Sequence, residues 1–73
     1  VTNSKSAEEA FKWHMKAAQV GEVEGQYKVG VAYARGQGVA KDINKAKIWL
    51  NKANDNGYEL ANKTFEALKK ETE

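Results

Sequence analysis

Apolar and small residues return along this chain at steps of three and four, and glycines break the pattern. Ala7, Ala10, His14 and Ala17 fall on one face of a helix with 3.6 residues per turn, and Ile43, Ala46, Leu50 and Ala53 repeat that stripe further on. Gly21 and Gly57 stand where the two stripes stop, since glycine takes the left-handed C-cap conformation without a side-chain clash. At the other ends, Ser6 followed by Glu9 has capping-box spacing, and Asp42 can accept from the free amides of its own helix. No proline interrupts any of these segments. The pattern predicts four helices, over 6–20, 22–35, 42–56 and 58–71, and an all-α fold.

The second and fourth segments differ in how their apolar residues are spread. Between 22 and 35 they run nearly all round, with Val23, Tyr27, Val29, Val31, Ala32, Tyr33 and Ala34 leaving only Glu24, Lys28 and Arg35 as a polar strip. Such a helix is expected to be sandwiched between others. The last segment keeps Tyr58, Ala61, Phe65 and Leu68 on one side and turns Asn62, Lys63, Glu66, Lys69 and Lys70 outward, as a helix at the end of a stack does. Gly21 and Gly57 make tight connections and residues 36–41 a longer one, so neighbouring helices are expected to run antiparallel.

A shift of 36 positions superimposes Lys5 on Lys41, Ala10 on Ala46, Trp13 on Trp49, Lys16 on Lys52, Ala17 on Ala53 and Gly21 on Gly57. A period of this size is the mark of a repeat array, in which each unit buries its apolar face against the next. Around it stand Tyr27, Val29-Gly30, Tyr33, Gly36-Gln37-Gly38-Val39, Asp42, Lys45-Ala46, Trp49-Leu50, Lys52-Ala53 and Gly57. This set resembles the Sel1-like repeat, a relative of the tetratricopeptide repeat that builds right-handed superhelices of paired helices. The resemblance implies one repeat domain over 1–73, made of the second helix of one repeat (6–20), a complete repeat (22–56) and a C-terminal capping helix (58–71). It also carries the expectation of a bacterial source, and of an adaptor that holds other proteins or peptides. Gly25, Val29 and Leu50 depart from the family pattern without changing its packing logic. Glu66 in place of a glycine and Lys69 in place of a tyrosine suit an exposed cap. With no cysteine, nothing of the family's disulfide-stapled bacterial branch carries over.

Composition narrows the function classes. Against 12 Lys and Arg stand 10 Asp and Glu, and a net charge of +2 is too weak to demand a nucleic acid or an anionic membrane. Lys12, Lys16, Lys45 and Lys52 could form a basic ridge for nucleic acid, but Glu8, Glu9, Asp42 and Asp55 interleave with it. No apolar stretch approaches a membrane span, the first ten residues lack the order of a signal peptide, and the cell compartment stays undetermined. Val1 is not an initiator methionine, so the chain reads as a piece of something longer.

Candidate chemistry is sparse. His14 is the one histidine, at the position where the next repeat has Leu50, and is expected to be a packed, hydrogen-bonded core residue. Zinc would need carboxylates to replace the missing cysteines, and Glu8 and Glu9 diverge around a helix. Ser4, Ser6, Thr64 and Thr72 have no base in prospect, so no catalytic residue, metal ligand or cofactor site is expected. Gly36-Gln37-Gly38 follows a helix rather than a strand and leads to acidic Asp42, which argues against a phosphate loop. Asn62-Lys63-Thr64 is a glycosylation sequon in form, placed mid-helix. Trp13 and Trp49 are expected to pack repeat against repeat. Phe11, Trp13 and Met15 crowd a first helix with no preceding partner, so an upstream helix, a second copy or another protein is expected to cover part of that surface. The expected partner groove is the strip Glu24, Lys28 and Arg35 with Tyr27 and Val31, extended on the last helix by Leu60, Lys63, Thr64 and Ala67. The remaining alternative is a purely structural segment of a larger repeat protein.

Overall fold

The computed structural model describes the backbone of residues 3–72 and the side chains of residues 6–71. Within them the chain forms α1 (Asn3–Gln19), α2 (Val23–Arg35), α3 (Ile43–Asp55) and α4 (Glu59–Thr72), with no strand. Each helix packs on the next, and α2 also touches α4. The all-α stack of helix hairpins that the periodicity predicts is the observed architecture. Val1, Thr2 and Glu73, at the limits of the expected 1–73 domain, and the Lys5 side chain of the repeat lie outside the described residues.

Both tight turns are the same device. After α1, Gly21 sits at φ +93°, its N–H donates to the Ala18 carbonyl at 3.1 Å, and the Glu22 N–H donates to Ala17 at 3.0 Å. After α3, Gly57 at φ +97° donates to Asn54 at 2.9 Å and Tyr58 to Ala53 at 3.0 Å. Each pair satisfies carbonyls that a helix end leaves free, and the left-handed φ behind it favours glycine. Asp42 caps α3 as expected, its Oδ1 accepting from the Lys45 N–H at 3.1 Å. Ser6 caps nothing: α1 begins at Asn3, so Ser6 and Glu9 lie inside the helix. Nothing between Asn3 and Ser6 stops a helix, and serine is tolerated in its interior.

Close approach of the helices rests on small residues. Val29, Ala46, Leu50, Ala53 and Ala61 are 0% exposed, and Ala18, Ala32, Tyr33 and Leu68 join them in the core. A Cβ on Gly30 would come within 2.7 Å of the Leu50 Cγ, so α3 can lie this close to α2 only because that side chain is missing. Every residue of α2 is buried or half-buried except Glu24, Lys28 and Arg35, which is the sandwiched helix and the narrow polar strip expected. On α4, Ala61 and Leu68 turn inward while Asn62, Lys63, Glu66 and Lys70 are exposed.

One buried polar residue joins three segments. Gln26, 5% exposed, accepts from the Asn56 Nδ2 at 3.0 Å, and its own Nε2 reaches the Ala18 carbonyl at 3.5 Å. Gln26→Ala should therefore lower stability by about 1–2 kcal/mol. Thermal melts followed by circular dichroism will show it, and an unchanged midpoint would mean that water replaces the lost bonds.

The two tryptophans share a local pairing and differ in burial. Lys16 lies 4.8 Å above the Trp13 ring and Lys52 lies 4.9 Å above Trp49. Trp49 packs partly against the core, and with Ala18, Gln19 and Gly21 at the end of α1 it borders a shallow depression. Trp13 is 68% exposed, so the repeat-to-repeat packing expected of it is not made among the described residues. Phe11 and Met15 do turn inward, Phe11 meeting Tyr33 edge to face at 5.4 Å. Because Trp49 is only half-buried, Trp49→Ala should cost about half of the ~3–5 kcal/mol of a fully buried aromatic. Loss of all cooperative unfolding would show that this ring carries more than its exposure implies.

Candidate functional site

A concavity of about 740 Å³ lies between α1 and α2. From α1 it takes Ala7, Ala10, Phe11 and His14, and from α2 it takes Tyr27, Lys28, Val31 and Ala32. The Gly36-Gln37-Gly38 loop closes one end. That loop reaches α1 because position 38 has no side chain: a Cβ there would collide with the Ala7 carbonyl and lie 3.0 Å from the Glu8 amide nitrogen. The two glycines read from sequence as loop residues thus also shape a wall.

Among the described residues, Lys28 is the one formally charged residue on this lining. Its Nζ is 3.9 Å from a Glu24 carboxylate oxygen one turn away, and both side chains are largely in water. Such a pair contributes little and leaves Lys28 available to another carboxylate. Arg35 is exposed at the far end of the same strip. The rest of the described lining is mostly apolar or small, with His14 and Gln37 as polar exceptions, so the site suits shape and apolar contact beside one positive anchor.

The structure gathers Tyr27, Lys28 and Val31 at this concavity and continues their strip through Glu24 and Arg35. Leu60, Lys63, Thr64 and Ala67 stand on α4 outside its lining. Leu60 is 49% exposed, and the Thr64 hydroxyl donates to the Leu60 carbonyl at 3.3 Å. Nearby, the ring of Tyr27 on α2 lies 5.0 Å from that of Tyr58, in the turn before α4. The α1 wall was missed by sequence reasoning. The available signal was the 36-residue offset, which equates Ala10 and His14 with the buried Ala46 and Leu50 and so marks them as contact positions.

His14 corrects a further expectation. It is half-buried at the edge of the concavity and makes no side-chain hydrogen bond among the described residues, so it is a groove residue rather than a satisfied core histidine. The lysines of the basic ridge include Lys16, Lys45 and Lys52, which lie over the rings of Trp13, Tyr33 and Trp49 at 4.8, 5.6 and 4.9 Å. Among the described residues no group of three or more His, Cys, Asp or Glu side chains is placed to hold a metal ion. No described helix is long and apolar enough to cross a membrane.

The Sel1 repeat profile matches residues 4–22 and 23–58. Chitin synthase regulatory factor 3 of Schizosaccharomyces pombe is 40% identical over 62 residues, a match that covers 85% of this chain and 7% of that protein. The expected bacterial source finds no support in this relative. No solved structure matches the chain. Sel1 repeats are protein-interaction modules. The second match spans α2, α3 and the turn into α4, and contains both Gly30, where two helices touch, and Gly57, where one ends. By these matches and the packing that explains them, the chain belongs to the Sel1 repeat family.

Proposed function

We propose that this chain is a non-catalytic adaptor module that binds a protein or peptide on the face carried by α2 and α4. The observation that carries this reading is the environment of α2, whose residues are all buried or half-buried except the Glu24, Lys28 and Arg35 strip beside the concavity. Tyr27 and Val31 supply apolar contact there, Lys28 and Arg35 attract carboxylates, and Leu60, Lys63 and Thr64 extend the face on α4. The relative's description as a regulatory factor supports a binding role.

The test is a quantitative pull-down with the parent chain and with a Lys28→Glu, Arg35→Glu double variant. Both side chains are exposed, so helicity should be unchanged. Capture of specific partners, identified by mass spectrometry, should fall at least about tenfold, which corresponds to the loss of two charge-assisted contacts. An identical set of partners at identical yield would dispose of this face.

Within the array, α4 serves as a capping helix in this reading. Where α2 has Gly30 and Tyr33, α4 has Glu66 and Lys69, whose charged groups are 4.0 Å apart. A helix approaching α4 as α3 approaches α2 would meet the Glu66 side chain where α3 finds bare backbone.

A further inference from the structure

We propose that Asn56 is a site of spontaneous deamidation, and that its conversion to aspartate or isoaspartate irreversibly unlatches the junction of α1, α2 and α3. The co-reactant is water, and no enzyme is needed.

The pair Asn56-Gly57 follows from the way the repeat turns. Gly57 sits at φ +97°, a conformation that favours glycine, so the residue after Asn56 carries no side chain. A glycine amide nitrogen is the least hindered nucleophile that a backbone offers to the asparagine before it. No other asparagine in this sequence precedes a glycine, and Asn44, Asn51, Asn54 and Asn62 all lie within helices. The matching turn after α1 has Val20 before Gly21, so the same backbone device is chemically inert there. Asn56 and Gly57 are both exposed, which admits water.

The reaction is a ring closure followed by hydrolysis. The Gly57 amide nitrogen gives its proton to solvent base and attacks Asn56 Cγ, forming a carbon–nitrogen bond. The bond from Cγ to Nδ2 breaks, and Nδ2 takes up a proton and leaves as ammonia. Water then opens the cyclic imide at either carbonyl, which gives aspartate or isoaspartate with no change of oxidation state.

The folded turn holds the reacting atoms apart. With Asn56 at ψ 12°, the Gly57 nitrogen is turned toward the amide of Asn56 and away from its side chain. The Gly57 N–H donates to the Asn54 carbonyl at 2.9 Å, and Asn56 Nδ2 donates to Gln26 Oε1 at 3.0 Å. Ring closure therefore waits on local opening of this turn. Once it has happened, the latch cannot re-form. A carboxylate has no N–H to give, so its oxygen would face Gln26 Oε1, acceptor against acceptor. Turning the Gln26 amide over moves the conflict to the Ala18 carbonyl, which now lies 3.5 Å from Nε2. Gln26 is 5% exposed, so water gives little relief. The new negative charge also falls at the C-terminal end of α3 beside Asp55, where the helix dipole opposes it.

The test is incubation of the chain in mildly alkaline buffer, folded and in urea, with each asparagine followed by peptide mapping and mass spectrometry. Conversion should concentrate at Asn56 in both, and run more slowly in the folded chain. Gln26→Ala should speed it in the folded chain about fivefold, the equivalent of one lost hydrogen bond, and leave the rate in urea unchanged. Asp42→Ala, which weakens the far end of α3, should speed it less. As a mimic of the product, Asn56→Asp should melt at least about 4 °C below Asn51→Asp, which adds the same charge at an exposed position of α3. Should Gln26→Ala fail to fold, the comparison of these two aspartate variants decides. An intact Asn56 in the folded chain, equal acceleration by Gln26→Ala and Asp42→Ala, or equal melting of the two aspartate variants would overturn the proposal.

Discussion

Leu50→Ala should leave the chain largely unfolded at 25 °C. Leu50 is 0% exposed and, with Val29, is one of the two largest fully buried side chains described. It fills the space that Gly30 opens, so removing it leaves a cavity bounded by the backbone of two helices. Deleting a buried leucine side chain costs ~2–5 kcal/mol. A core of this size seldom supplies more than ~3–5 kcal/mol in total. The two figures are comparable, which is why loss of the folded state is expected rather than a lowered melting point. Far-ultraviolet circular dichroism and a urea titration will show whether a cooperative transition survives. A variant that retains one within a few degrees of the parent would show that α2 and α3 settle together into the gap, and that the contact at Gly30 is softer than its geometry implies.

Gly38→Ala should be nearly as damaging, through the backbone instead of the core. The residue sits at φ +75°, where a side chain adds about 1–2 kcal/mol of strain. The new Cβ would also collide with the Ala7 carbonyl, and a main-chain atom within a helix cannot move aside cheaply. The loop would have to lift from α1, opening the end of the concavity. Gly21→Ala is the control, because Gly21 has a similar φ of +93° and nothing within 4 Å of an added Cβ. The Gly38 variant should melt below the Gly21 variant by roughly 5–15 °C, given ~4–8 °C per kcal/mol in a domain of this length. Equal shifts would mean that only the dihedral angle matters and that the loop does not bear on α1.

Much of the fold was legible because it depends on local rules applied at fixed spacing. A period of 3.6 residues places Ala46, Leu50 and Ala53 on one face whatever surrounds them, and all three are buried. Glycine at 21 and 57 ends a helix for reasons contained in the backbone of that residue, and Asp42 caps α3 through an amide only three residues away. The 36-residue repeat likewise needs only the sequence to be seen. The start of α1 was misread because the spacing of Ser6 and Glu9 permits a cap without requiring one. Where no glycine or proline intervenes, the helix extends upstream to Asn3.

The rest depended on which neighbours exist in space. Trp13 and Trp49 are equivalent in sequence and share a lysine pairing, but only Trp49 has the end of another helix beside it. His14 and Leu50 hold the same repeat position, one at the edge of a concavity and the other at 0% exposure. Gln26 meets Asn56 across 30 residues of chain, a partnership no local pattern encodes. The sequence by itself determined the helices, their ends and their repeat, because helix periodicity and glycine conformation act within a few residues. Only the tertiary structure decided which repeat-equivalent surfaces are covered and which are open, because burial is a property of what lies opposite and not of the residue itself.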